Sequence, residues 1–332
     1  MLKLDIIVTH YDEPWEVGKK FFDMLAMQRG VDFGEIRVTI IHDGTAAFEL
    51  PDFPFEVRQE VIEHGGVSRA RNHGIEIAEA PWICFCDFDD MFASVYSLRH
   101  IVTLLPDNNY DILWSDFYSE DRMKGGALKI HRRRNNSVFI HSKLFRVEFL
   151  RKHGLQFPED QEFNEDSAFV AIGYAICDPK RVGEIKAETP LYVWVFREGS
   201  ATATRENRWK AYMGLYYRNK KVCDAFREHL PRERYLTMIC RTCYDTYFML
   251  NLTELPPELH EMVWDFREFW KAHKQEFAEC EFENRVEAYN ASKREHDTGD
   301  REEEERWGTT ENLFDRNKTF RQWIKEIEKG GE

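Results

Sequence analysis

Ile83-Cys84-Phe85-Cys86 is apolar at every position, and it runs straight into Asp87-Phe88-Asp89-Asp90. A strand with apolar side chains on both faces must be covered on both, which puts it at the centre of a largely parallel sheet with helices above and below. The surrounding pattern agrees. Short β-rich runs at 4–9, 37–41, 56–62, 83–86 and 111–114 alternate with helical spacing at 15–27, after Gly65-Gly66, and at 96–105. Residues 138–176 read as strand, helix, loop and helix, 191–196 as a further strand, and 124–136, rich in Gly and Arg, as a connection. From about residue 205 the character changes, and 209–230, 235–250 and 258–287 carry apolar residues at helical spacing with charges between them. The expected organisation is therefore an α/β domain over 1–205 and a helical C-terminal extension over 206–332. Pro256-Pro257 suits the first turn of a helix with Thr253 as its cap, and the acidic stretch 294–306 suits a solvated linker or an exposed helix.

A hydrophobic fraction of 42% with 14% aromatics excludes a disordered chain. The net charge of −14 argues against non-specific attachment to nucleic acid or an anionic membrane, leaving only local basic patches for such contacts. No apolar run approaches the roughly 18–20 residues of a membrane span, and the N-terminal run, with Asp5 inside it, does not read as a secretory signal. Seven cysteines, an odd number, two of them inside the strand at 83–86, fit reduced thiols and a cytoplasmic location. Cys240 and Cys243 have redox or metal spacing but lie in a helical stretch with no second pair nearby, and are expected to pack between helices.

The chemistry collects where strands end. Asp87 and Asp89 alternate onto one side of an extended segment that offers no basic neighbour, so they call for a cation; hard oxygen ligands shared with a phosphate suit Mg²⁺ or Mn²⁺. An Asp here equally serves as the cap of the following helix. Asp43, in His42-Asp43-Gly44-Thr45, brings a third carboxylate to the same edge or simply forms a turn. Gly66-Val67-Ser68-Arg69-Ala70-Arg71-Asn72 opens a helix with backbone N–H groups and arginines where a phosphate could sit. It has neither the Walker pattern nor G-x-G-x-x-G, which argues against a P-loop NTPase or a nicotinamide dehydrogenase. Glu165-Asp166 begins an apolar helical run, where the helix dipole favours an anion. Lys129-Ile130-His131-Arg132-Arg133-Arg134 reads as a solvated loop, a lid over a diphosphate, or a contact for an anionic acceptor.

Taken in order, these pieces resemble the inverting glycosyltransferases of family 2, which have the GT-A fold. Residues 4–13 resemble the opening strand and P-x-Y-N-E turn, with His10 and Asp12 in place of Pro and Asn. His42-Asp43-Gly44-Thr45 is similar to D-D-G-S, with His42 in place of an acid. Ser68 to Asn72 resembles S-x-A-R-N, Asp87-Phe88-Asp89-Asp90 resembles D-x-D-D, and Asn164-Glu165-Asp166 leads the E-D motif. His141-Ser142-Lys143-Leu144-Phe145 and Phe157-Pro158-Glu159 resemble H-G-K-L-Y and R-F-P-E, and Leu191 to Ser200 the closing Y-x-Y-R-x-x-x-S. The resemblance covers about residues 1–205.

It implies a GT-A, Rossmann-like domain and a metal-dependent, inverting, hexosyltransferase-type enzyme that moves a sugar from a nucleotide-sugar donor, with UDP-sugar favoured, to an acceptor hydroxyl. The implied donor contacts are Thr9, Tyr11, Glu13, Asp43, Arg71, Asp87, Phe88, His141 and Lys143. Asp89 and Asp87 would hold Mn²⁺ or Mg²⁺, and Asp166 would be the general base, with Glu165 next in line. Tyr192, Trp194 and Trp209 offer a sugar-stacking wall or core packing. A glycan, lipid, protein or nucleic acid could be the acceptor. Three other functions compete: a nucleic-acid-modifying glycosyltransferase, a sugar-1-phosphate nucleotidyltransferase, whose opening Gly-rich loop residues 4–13 lack, and a non-catalytic nucleotide-sugar binding protein.

Overall fold

The computed structural model describes residues 1–105, 108–123, 126–134, 138–199, 208–252, 254–282 and 318–329. The chain divides into two compact units, Met1–Arg122 with Leu128–Ala203 and Met123–Ala127 with Thr204–Glu332.

The first unit is built on a sheet whose centre is β1 (Leu4–His10). On one side β1 pairs in parallel with β2 (Ile36–Asp43), and β2 with β3 (Glu56–Ile62). On the other side it pairs in parallel with β4 (Trp82–Asp87). The chain thus steps outward from β1 to β3 and returns to the far side of β1, so the strand order reverses between β1 and β4. Ligands in open α/β sheets bind at the carboxyl ends of strands at such a reversal. Alternate β4 side chains explain its apolar run: Trp82, Cys84 and Cys86 join one buried cluster with Phe21, Phe22 and Leu25 of α1 (Trp15–Ala26). Ile83 and Phe85 join a second with Ala70 and Ile75 of α2 (Val67–Ile77). Asp5, the acid in the first strand, is 1% exposed and is paid for by Arg37 at 3.1 Å and by the N–H groups of Glu79 and Ala80 at 2.7 and 2.8 Å.

Beyond β4 the sheet changes direction. After β5 (Met91–Phe92) and α3 (Ser97–Leu104) come β6 (Ile112–Trp114), β7 (Phe117–Arg122) and β8 (Leu128–Arg133). Next are β9 (Lys143–Arg146), α4 (Val147–His153), α5 (Glu165–Ile176), β10 (Val182–Glu184) and β11 (Tyr192–Trp194). The large sheet has the order β10-β6-β9-β4-β1-β2-β3, with β9 antiparallel to both neighbours. A second sheet has the order β5-β11-β7-β8. The region expected to be a bare connection, 124–136, contains β8, which pairs antiparallel with β7 from Phe117↔Arg133 to Arg122↔Leu128. Its apolar residues, Leu128 and Ile130, are 53% and 62% exposed, so no buried face announced the strand.

In the second unit, α6 (Arg208–His229), α7 (Arg232–Leu250), α8 (His260–Ala272), α9 (Lys274–Glu279) and α10 (Phe320–Lys329) bury an aromatic cluster that includes Tyr216, Tyr247, Phe266, Phe320 and Trp323. Pro257 opens a 3₁₀ turn directly before α8, as the sequence predicts, while Thr253 and 294–306 lie outside the described residues. Cys243 is buried on α7 as packing. Among the described residues, no helix is long and apolar enough to cross a membrane.

Candidate active site

The reversal between β1 and β4 places Thr9 opposite Asp87 in register, at the carboxyl edge of the sheet. Past β1 the chain turns through Asp12, whose φ of 56° is a conformation that Asn and Asp tolerate better than other side chains. Tyr11 is 54% exposed and stacks on His64 at 4.6 Å. Glu13 closes the turn by accepting the Tyr11 N–H at 3.0 Å.

At the end of β2, Asp43 is 3% exposed. Its oxygens accept the N–H groups of Gly65 and Gly66 at 2.7 and 2.9 Å, and His64 Nδ1 at 2.9 Å. Gly66 has φ of 86° and a side chain there would be strained. The anion at the start of α2 is therefore Asp43 itself, where the sequence suggested an open berth for a phosphate. Asp43 shapes the turn that carries His64.

His10 and His42, both departures from the motifs that the chain resembles, meet each other. Their Nδ1 atoms are 2.9 Å apart, His10 Nε2 is 2.8 Å from the Glu13 carbonyl, and His42 Nε2 is 2.9 Å from Gln59 Oε1. The Gln59 amide clamps Phe48, accepting its N–H at 2.9 Å and donating to its carbonyl at 3.1 Å. Burial, together with the neighbouring His10, holds His42 below the ordinary imidazole range.

Arg71 on α2 is the hub. It is 4% exposed, and it donates to Asp87 Oδ1 at 2.9 Å and to Glu165 Oε1 at 2.8 Å while its guanidinium lies 5.3 Å from the Phe157 ring centre. The next residue, Asn72, clamps the Phe157 backbone through its N–H at 2.8 Å and its carbonyl at 2.9 Å, and reaches Glu159 at 3.0 Å. One turn of α2 thus fixes both the end of β4 and the approach to α5. Burial pushes Asp87 up, but Arg71 and then His141 outweigh it and hold the carboxyl below the usual range. Glu165 goes the other way: burial and Asp166 lift it to about 7 against the pull of Arg71. Asp166, half-buried in the first turn of α5, follows directly and accepts the Ser167 N–H at 2.7 Å.

His141 and Lys143, on and just before β9, enter the same neighbourhood and are 5% and 3% exposed. Burial lowers Lys143 to about 8, against the attraction of Asp166, and its Nζ donates to the Phe139 carbonyl. Burial also lowers His141, whose ring stacks on Tyr192 at 5.6 Å and Trp194 at 5.3 Å. Tyr192 and Trp194 accordingly pack around a histidine, and Trp209 belongs to α6 of the second unit beside Tyr212. Phe88, expected to touch the donor, is 2% exposed and sits 4.9 Å from His10 and 5.5 Å from Phe48. Its side chain is core: the chain is not extended past Asp87, as the sequence suggested, but turns, with the Asp90 N–H donating to the Asp87 carbonyl at 3.2 Å.

Three residues hold the site together in ways that the sequence analysis did not assign. Asp90, fully buried, accepts Tyr192 OH at 2.8 Å and Val195 N–H at 2.8 Å, and Tyr192 OH in turn accepts the Asp87 N–H at 3.2 Å. Burial, with Asp87 and Asp89 alongside, pushes Asp90 well above the carboxylate range. The third is Arg197, which donates to Asp89 at 2.6 Å. The motifs gave Tyr192 only as an aromatic, Asp90 only as the last acid of the D-x-D-D run or a helix cap, and Arg197 no role of its own.

A divalent cation fits this set. Asp87, Asp90 and His141 offer ligand atoms that lie within 4.8 Å of one another, and His141 Nδ1 is buried with no hydrogen-bond partner. A buried nitrogen left in that state is costly unless something binds it. Asp89, two residues on and at 17% side-chain exposure, accepts from Arg197 and becomes available to an ion once it leaves that arginine.

Comparison with known proteins bears on what this arrangement does. The model of glycosyl transferase family 2 matches residues 5–164. The chain is 28% identical over 192 residues to the teichoic acid poly(glycerol phosphate) polymerase of Staphylococcus epidermidis, covering 51% of this chain and 26% of that one. It is 25% identical over 266 residues to the uncharacterized glycosyltransferase EpsJ of Bacillus subtilis, covering 68% and 73%. The chain therefore spans about a quarter of the polymerase's length. Among solved structures, S. aureus TarS is similar with a TM-score of 0.60 at 15% identity, over 82% of this chain and 49% of that one. TarS 1-349 in complex with UDP-GlcNAc gives 0.60 at 16% identity, over 82% and 81%. Likeness at that identity is one of fold.

Proposed function

The chain belongs to glycosyl transferase family 2, and from that premise we propose that it transfers a sugar with inversion from a UDP-sugar to an acceptor hydroxyl, with Asp166 as general base. The observation that carries this reading is the double grip of Arg71 on Asp87 and Glu165. It joins two acid groups with different tasks: one at the strand edge facing the donor, the other at the start of α5 facing the acceptor. Inverting transfer needs both, since a carboxylate takes the acceptor proton as its oxygen attacks and a separate cluster handles the departing diphosphate. Asp166 is the less buried acid of the pair on α5, whereas Glu165 is committed to Arg71. A divalent cation, Mn²⁺ or Mg²⁺, would be held by Asp87, Asp90 and His141 with Asp89 joining them, and would supply charge stabilisation to the diphosphate.

Tyr11 and His64 form the exposed aromatic face for the base, and Asp43 positions it by ordering 64–66. Thr9 and Glu13 frame the same end, and Lys143 sets the charge beside Asp166. The UDP-GlcNAc complex of TarS supports uridine. The likeness to a poly(glycerol phosphate) polymerase, together with exposed Lys129 and Arg134 around β8, favours an anionic acceptor. The catalytic unit is taken as 1–205 and the helices of 206–332 as an extension. Cys84 and Cys86 are buried inside β4 and Cys243 inside α7, where they pack as small apolar side chains, which suits a cytoplasmic enzyme.

A thermal-shift and calorimetric series with UDP, GDP and ADP, with and without Mn²⁺, tests the donor: UDP with Mn²⁺ should stabilise most, and equal shifts for all three nucleotides would remove the uridine assignment. Asp166→Asn should lower kcat by about 10² to 10⁴ while leaving donor Kd almost unchanged, and near-wild-type turnover would move the base elsewhere.

A further inference from the structure

Arg197 follows β11 in a segment pinned by Val195 N–H to Asp90 at 2.8 Å and by Phe196 N–H to Glu120 at 3.1 Å. From that fixed point its Nε donates to Asp89 Oδ2 at 2.6 Å and its Nη2 to Glu13 Oε1 at 3.2 Å. One guanidinium therefore spans two carboxylates, one at the end of β4 and one in the turn after β1. Side-chain exposures are 33% for Arg197, 17% for Asp89 and 22% for Glu13, so the bridge is half-buried and yet reachable from solvent. Without a cation these acids would repel each other in a low-dielectric cleft. The guanidinium does for them what a divalent ion would do, and it occupies Oδ2, one of the two oxygens that Asp89 could give an ion.

We propose that Arg197 is an exchange partner for the donor: it holds Asp89 and Glu13 in the free enzyme, and gives up Asp89 to the divalent cation when a nucleoside diphosphate arrives to take the guanidinium. The inference rests on the donor reading of the site. The exchange keeps charge balanced, because the incoming diphosphate is an anion that suits the fork of an arginine and the metal replaces the lost positive charge on Asp89. Its consequence is coupled binding: metal alone must break an ion pair, whereas metal with nucleotide repairs it. Arg197 acts here as a positioning residue for the cation and a ligand for the diphosphate.

The test is calorimetry and Mn²⁺ EPR on the full chain, with Mn²⁺ alone as the first probe. Arg197→Gln should bind Mn²⁺ alone about tenfold or more tighter than wild type, the factor that a charge-assisted hydrogen bond is worth, while Arg197→Lys keeps the charge and stays near wild type. Adding Asp89→Asn to Arg197→Gln should remove the gain. A merely structural Arg197 would not raise metal affinity when lost. Unchanged or weaker Mn²⁺ binding by Arg197→Gln overturns the exchange, as does a gain that survives Asp89→Asn. UDP titrations with Mn²⁺ and with EDTA separate the two readings. Wild-type protein that binds no UDP in either buffer refutes the donor site, and equal UDP affinity in both buffers refutes the exchange alone.

Discussion

Replacing Glu165 with Gln should make the protein more stable at pH 8 than the wild type, with the advantage vanishing near pH 4. Glu165 is 8% exposed and is lifted from an ordinary 4.5 to about 7, first by burial and then by Asp166, with Arg71 pulling the other way. Below about pH 4 the residue is protonated in both folded and unfolded chains and its environment costs nothing. Between 4.5 and 7 the unfolded chain releases the proton while the folded chain keeps it, so stability falls as pH rises across that window. Above 7 both are ionised, and the whole interval has been lost, an amount of about 3 kcal/mol from ~1.4 kcal/mol per tenfold change in acidity. Gln keeps a carbonyl oxygen for Arg71 Nη1 and carries no charge to bury. Its advantage over wild type should therefore grow by up to about 3 kcal/mol between pH 4 and pH 8 in urea unfolding followed by far-UV circular dichroism. A stability difference that is the same at both pH values would refute the assignment of Glu165 as a strained, buried acid.

Lys143→Met should also stabilise at pH 7, because burial lowers the ammonium from 10.5 to about 8 and the unfolded chain holds its proton more tightly than the folded one between those values. Wild-type stability then rises with pH over that window, so the advantage of Met, about 3 kcal/mol at most, should fade by about pH 10.5 in the same assay. Gly18→Ala places a Cβ 2.3 Å from the Phe88 ring, so overpacking should cost about 1–3 kcal/mol and weaken UDP binding by shifting the segment that bears Asp87 and Asp89. Wild-type unfolding curves for this variant would show that Phe88 moves freely and does not brace the aspartates.

How far the sequence carried depended on whether a residue's role was local. The central strand at 83–86 was legible because burial on two faces leaves a run of apolar residues, and the placement of Asp87 at a strand end follows from the same pattern. Phe88 was misread because the strand stops at Asp87: the turn closed between Asp87 and Asp90 sends its ring to the core. β8 was not legible, since Leu128 and Ile130 face solvent and the strand exists through its pairing with β7. Arg197 and Asp90 were not legible either. Arg197 meets Asp89 across 108 positions, and Asp90 meets the Tyr192 hydroxyl across 102, so only the folded chain brings them together. Arg71 lay between the two cases. Its motif marked it for nucleotide binding, but nothing local pairs it with Glu165, 94 residues on.

The contact between His10 and His42 has a consequence in proton count. Phe48 fixes which end of the Gln59 amide faces His42, so His42 Nε2 must carry a hydrogen to meet Gln59 Oε1. The Glu13 carbonyl makes the same demand on His10 Nε2. A neutral imidazole has a single N–H, so two neutral rings would confront each other with bare lone pairs across 2.9 Å. The Thr45 hydroxyl, 3.1 Å from His10 Nδ1, is a donor that meets one of those lone pairs, beside two rings that are 3% and 0% exposed. The turn that carries Tyr11 and Glu13 is thereby tied to β2 through two buried rings. Losing either ring would leave the Glu13 carbonyl or Gln59 Oε1 short of a donor, so the turn after β1 is held by a pair of side chains from two adjacent strands, His10 of β1 and His42 of β2.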